Sequence, residues 1–136
     1  MAVFRLALIS TGGTIEKTYQ PHSGELRNET SVLDHMLGQL ELVELDIERI
    51  RLMNKDSLEM IASDHDLIAT TARTAAERSD GVGVVHGTDR LAESGEATCR
   101  AGRPEAPGMF TGAMRPFELR ITDAVLDFTV ALRAGR

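Results

Sequence analysis

The sequence is poor in several things at once: in 136 residues it has one cysteine (Cys99), one tyrosine (Tyr19), no tryptophan and only two lysines, Lys17 and Lys55. One cysteine excludes an internal disulfide framework and fits a reducing, cytoplasmic setting. No apolar run approaches the roughly 18 residues of a membrane-spanning helix, so no membrane role is expected. Val3 to Ile9 has the length of a signal-peptide core, but Arg5 interrupts it and Gly12-Gly13 follow, which fits a first core strand better. The net charge of −6 supplies no positive field to attract a phosphate backbone, so nucleic acid is not expected as a partner. His22, His35, His65 and His86 show no metal-ligand spacing, and one thiol makes no cluster, so the sequence gives no sign of a metal.

What is present suits one soluble globular domain over 1–136, with hydrophobic residues at 42% and charged residues at 26%. Strand-like and helix-like stretches alternate. Val3 to Ser10 reads as a buried strand. Thr30-Ser31 looks like the N-cap of a helix carrying Val32, Leu33, Met36, Leu37 and Leu40 at helical spacing. Val43, Leu45 and Ile47 alternate, and Ile50 and Leu52 resume out of phase, which predicts a second strand with a bend or bulge. Ser63-Asp64 reads as the cap of a helix through Leu67, Ile68, Ala72, Ala75 and Ala76, and Gly81 to Val85 as a third strand with little room on its glycine face. Ala97 to Gly108 reads as a loop, and Thr122 as the start of a last helix. Alternation of this kind predicts an α/β fold, a Rossmann-like, doubly wound, mainly parallel sheet. Its fourth strand, before Thr111, is doubtful because Pro104 and Pro107 cannot donate to a ladder.

In such a sheet, ligands bind beyond the carboxyl ends of the strands. Past the first strand stands Thr11-Gly12-Gly13-Thr14, past the second Asn54-Lys55-Asp56-Ser57, past the third His86-Gly87-Thr88-Asp89, and before the last helix Thr111-Gly112-Ala113-Met114-Arg115. Small, hydroxyl-bearing residues beside glycine at four successive strand ends predict one site. A phosphate cradle is excluded on detail, since neither G-x-G-x-x-G nor a loop ending in Gly-Lys-Ser/Thr is present. An isolated Gly-Gly is more often only a turn, but four strand ends of one character shift the balance towards a displayed nucleophile. That chemistry needs a hydroxyl, a proton acceptor and donors for an oxyanion. Thr14 is the candidate hydroxyl. Tyr19, on a polar segment five residues on, could close over the site, though a surface tyrosine without a role fits as well. Thr88 beside Asp89 is a second hydroxyl and carboxylate, while His86, ending an apolar strand, reads as a satisfied, partly buried histidine rather than a base.

The blocks TGGTI (Thr11 to Ile15), HGTD (His86 to Asp89) and GAMRP (Gly112 to Pro116), with Asp56-Ser57 between the first two, resemble in order the signatures of the bacterial L-asparaginase family. The short spacing to Tyr19 and the stretch MNKDSLEM resemble its short, single-domain branch. The resemblance implies hydrolysis of the side-chain amide of L-asparagine, or also of L-glutamine, to the acid and ammonia, without a cofactor and in a homo-oligomer. It implies Thr14 as nucleophile, Tyr19 beside it, Thr88 and Asp89 as the pair that orients substrate and moves protons, and Ser57 with Asp56, Gly13 and Gly87 as the substrate-binding set. The sequence departs from the family pattern in length, being about half that of the two-domain members, and in the family's catalytic lysine, which lies beyond GAMRP: no lysine follows Lys55. The alternative is therefore a catalytically weak or inactive domain that binds asparagine or aspartate, and a third reading is an amidase component supplying ammonia to an acyl-transfer partner.

Overall fold

The computed structural model describes residues 3–13, 18–20, 25–27, 44–102 and 106–112, with the backbone alone for 18–20 and 25–27. In chain order the elements are β1 (Phe4–Gly12), β2 (Thr18–Gln20), β3 (Glu25–Arg27), β4 (Leu45–Lys55), a short 3-10 turn (Ser57–Glu59), α1 (Ala62–Ala76), β5 (Gly81–Val85), α2 (Leu91–Arg100) and β6 (Gly108–Thr111). The helices expected from Thr30-Ser31 and from Thr122 lie outside the described residues.

Leu6 to Ile9 is apolar on both faces, and a strand of that kind belongs inside a parallel sheet. β1 indeed pairs in parallel with β4 on one side and β5 on the other, and β6 joins β5, so the four-stranded sheet runs β4-β1-β5-β6. The chain moves outward from β1 to β4, then returns to the other side of β1 for β5 and β6. This reversal beside β1 makes the crevice at the carboxyl ends of β1, β4 and β5 the place where a ligand fits. β4, outermost among the described strands, puts Asp46, Glu48 and Arg51 at exposed positions, as an edge strand should.

The second strand does carry an irregularity, but beyond the phase change between Ile47 and Ile50 where the sequence put it. Pairing runs residue by residue from Phe4 opposite Leu45 to Ser10 opposite Arg51, then steps to Gly12 opposite Lys55. The doubtful fourth strand is present but short. Pro107 donates nothing, yet its carbonyl accepts the Val82 N–H at 2.9 Å, and β6 begins at the next residue. The loop expected over Ala97 to Gly108 needs correction at its start. Ala97 to Arg100 is the last turn of α2, a helix whose buried residues are only Ser94 and Ala97, too small to leave an apolar stripe in the sequence.

α1 buries Ile68, Ala72, Ala75 and Ala76 against Ala7, Ile9, Val82 and Val84 of the sheet, with Met60 beneath. Each fully buried large side chain contributes roughly 1.5–3 kcal/mol, and the alanines let the helix lie close to the strands. Gly83 lies close to the Leu8 side chain, where an added Cβ would stand 3.3 Å from its terminal methyl and ask that side chain to shift slightly. α1 starts one residue before the expected cap: the N-cap is Ile61, and Asp64 in the first turn accepts the Ile61 N–H at 3.0 Å. β2 and β3 form a separate antiparallel ribbon with Tyr19 opposite Leu26, so Tyr19 sits on a strand rather than in an open loop.

Candidate active site

Glycines bring the strand ends together. Gly12 and Gly13 have φ of 107° and 87°, which side-chain-bearing residues rarely adopt. The Gly13 N–H donates to the Lys55 carbonyl at 3.2 Å, tying the end of β1 to the end of β4. A Cβ on Gly12 would collide with that carbonyl oxygen, and one on Gly13 would come within 2.5 Å of the Gly87 nitrogen. A Cβ on Gly87 would stand 2.6 Å from Ser57 Oγ, and one on Gly112 would run into the His86 carbonyl oxygen. Residues from the ends of all four parallel strands are thus in backbone contact around one point. The described parts of the sequence blocks, Thr11 to Gly13, Asp56-Ser57, His86-Gly87 and Gly112, meet there.

The hydroxyls around this point differ in what they do. Thr11 Oγ1 donates to the Val85 carbonyl at 2.6 Å and is fully buried, so it staples β1 to β5. Ser57 is fully buried as well, and its hydroxyl has no hydrogen-bond partner among the described residues. A buried hydroxyl without a partner costs roughly 1–3 kcal/mol, and this one faces Gly87 across the crevice. Asp56 accepts the Leu58 N–H at 3.1 Å and so caps the 3-10 turn that presents Ser57. Thr88 and Asp89 are exposed at the rim, directly after buried Gly87. Thr14 lies outside the described residues, and of Tyr19 only the backbone is described.

Charge near the crevice is already engaged. Lys55 Nζ reaches both carboxylate oxygens of Asp64 at 3.0 Å. The Ile61 N–H and then Lys55 hold the Asp64 carboxyl below its ordinary value. Lys55 is therefore paired where a free amine would be wanted for proton transfer. His86 is fully buried, with Nδ1 at 2.7 Å from the Gly87 carbonyl and Nε2 at 2.7 Å from Ser94 Oγ. Burial pushes its pKa down, the Gly87 carbonyl opposes this, and His65 adds to the lowering. It is satisfied, as its place at the end of an apolar strand predicted, but fully rather than partly buried. No group of three or more metal-ligating side chains is present among the described residues.

Comparison with known proteins agrees with the arrangement. The sequence profile of the family described as "Asparaginase, N-terminal" matches residues 5–135. The chain belongs to the asparaginase N-terminal family. Its fold matches the thermostable L-asparaginase from Thermococcus kodakarensis with a TM-score of 0.86 and 28% identity, over 98% of this chain and 41% of that one. The probable cytoplasmic L-asparaginase from Campylobacter jejuni shares the fold at a TM-score of 0.78 and 24% identity, over 95% of this chain and 41% of that one. Among curated proteins, a component of the glutamyl-tRNA(Gln) amidotransferase of Haloquadratum walsbyi is 30% identical over 132 residues, which is 96% of this chain and 30% of that protein. The chain therefore spans under a third of that relative's length and about two fifths of the two solved structures.

Within this asparaginase-family domain, sequence reasoning missed His65 and Ser94, the partners behind His86. Their only signal was position: Ser94 lies eight residues after His86 on a helix that the sequence left unread. An apolar cavity of about 640 Å³ lies elsewhere, between the two helices and strands β5 and β6, lined in part by Ala76, Val84, Cys99 and Phe110. None of the candidate site residues lines it. No helix among the described residues is long and apolar enough to cross a membrane.

Proposed function

We propose that this domain binds the side-chain amide substrate of an amidohydrolase, L-asparagine foremost and L-glutamine second, and carries the nucleophile that attacks it. In this reading Thr14, one residue beyond Gly13, attacks the amide carbon, with Tyr19 beside it. Ser57 takes the substrate's α-carboxylate, Asp89 its α-ammonium group, and Thr88 hydrogen-bonds the substrate and helps move protons. The observation that supports the reading is the buried Ser57 hydroxyl, which has no partner among the described residues and faces Gly87 where the described strand ends converge. A hydroxyl and backbone N–H groups can hold a carboxylate without an arginine fork. Gly13 and Gly87 let backbone approach a small ligand closely.

The test is ammonia release from L-asparagine by the purified chain beside Thr14→Ala. Turnover that falls by about 10³-fold or more in the variant supports a threonine nucleophile. Turnover equal in both proteins rejects it. Binding of L-aspartate without turnover in either protein moves the domain to the binding-only reading, which the Lys55–Asp64 pairing favours. The 30% identity to an amidotransferase component favours a second reading: the same amide cleavage supplies ammonia within a larger assembly.

A further inference from the structure

Behind the HGTD turn, three buried side chains form a chain of hydrogen bonds that joins both helices to the strand end. His65 Nδ1 lies 2.6 Å from Ser94 Oγ, and Ser94 Oγ lies 2.7 Å from His86 Nε2. His86 Nδ1 lies 2.7 Å from the Gly87 carbonyl oxygen. Ser94 is fully buried, His65 is 7% exposed, and the two imidazole rings stack with centroids 6.4 Å apart.

Donor and acceptor roles in the chain follow from its last link. A carbonyl oxygen only accepts, so the nitrogen facing Gly87 must carry a proton. The other nitrogen of a neutral His86 is then an acceptor, and the Ser94 hydroxyl must donate to it. With its one proton committed, the Ser94 oxygen accepts from His65 Nδ1–H. Each hydrogen bond thus has one direction. The alternative tautomer of His86 would set a lone pair against the Gly87 carbonyl.

The Gly87–Thr88 peptide is trans, since no cis bond occurs among the described residues. In a trans plane the N–H points opposite to the C=O. Holding the Gly87 carbonyl against His86 therefore turns the Thr88 N–H the other way, outward from the ring. We propose that Ser94 is a positioning residue for the candidate active site: by hydrogen-bonding His86 Nε2 it holds the ring against the Gly87 carbonyl, and so sets the orientation of the Gly87–Thr88 peptide. The proposal rests on reading the strand ends as the substrate site, and its first test stands apart from that reading.

That test is nitrogen-15 NMR of the histidine rings and of the Thr88 amide in the whole chain. The wild type should show His86 as a single tautomer, protonated at Nδ1 with Nε2 as a bare acceptor, and His65 protonated at Nδ1. Ser94→Ala should free the His86 ring from the Gly87 carbonyl and so mix its tautomers, move the Thr88 amide resonance and weaken L-aspartate binding about ten-fold or more, the scale of one lost buried hydrogen bond. Ser94→Thr, which keeps the hydroxyl, should restore all three. If Ser94→Ala does not fold, Ser94→Cys carries the same expectations, because a thiol is a weak donor. A proton on Nε2 of wild-type His86 overturns the proposal, as does a folded Ser94→Ala with unchanged tautomer and Thr88 resonance. A wild type that does not bind L-aspartate defeats the reading of the site, while the ring spectra still decide the role of Ser94.

Discussion

The two ends of the parallel sheet are built from different materials. Towards the amino ends, long charged side chains reach across the surface. Arg5 pairs with Asp80 at 3.4 Å and Arg78 with Glu48 at 2.9 Å, all four side chains at least 40% exposed. At the carboxyl ends glycines lie close against their neighbours: Gly13 on the Gly87 backbone, Gly87 on the Ser57 side chain, and Gly112 on the His86 carbonyl. Exposed pairs contribute little and weaken with salt, so the amino end is tied mainly by backbone, the Asp80 N–H donating to the Arg5 carbonyl at 2.7 Å. Close glycine contacts leave no slack. The difference teaches where precision lies in this domain: the closely packed end is also the one where a buried hydroxyl, that of Ser57, lacks a partner among the described residues.

Breaking that contrast should give effects of very different size. Gly13→Ala, with a Cβ 2.5 Å from the Gly87 nitrogen and φ at 87°, should cost about 3 kcal/mol or more in chemical denaturation. Arg78→Ala at the other end should leave the unfolding midpoint almost unmoved. A midpoint that falls more for Arg78→Ala than for Gly13→Ala would reverse the comparison.

A smaller effect should appear between the two regimes, at Asp64, which is held by one backbone N–H and one lysine. Its folded pKa lies below the ordinary carboxyl value, so the stabilisation is present above the unfolded value near 4 and is lost as pH falls through the folded value. Asp64→Asn should cost on the order of 1 kcal/mol near neutrality, the scale of a lost helix cap. The gap between variant and wild type should close as the solution is acidified below about pH 4. A gap that stays constant with pH would show that the charge of Asp64 contributes nothing.

The ease of reading the sequence followed side-chain size and local signal. β1 and β5 were legible because unbroken apolar runs mark strands buried on both faces. The meeting of the strand ends was legible because glycine and hydroxyl residues recur at successive strand ends. α2 escaped because a helix that packs through serine and alanine leaves no stripe of large residues. The true start of α1 escaped because Ile61, an unusual N-cap, relies on Asp64 three residues later. β6 looked doubtful because proline removes a donor, yet a parallel ladder could still use the Pro107 carbonyl. Ser94 and His65 were invisible, since their role depends on contacts between elements distant in sequence.

The central claim is that the glycine-packed end of the sheet holds the substrate's amino-acid head. The most direct measurement is a titration of the nitrogen-15-labelled chain with L-aspartate, followed residue by residue in amide spectra. The account predicts saturable shifts concentrated at Gly13, Ser57, Gly87 and Thr88, with Arg5, Glu48, Arg78 and Asp80 unmoved. Shifts confined to those four charged residues, or no saturable shift in the folded protein, would contradict it.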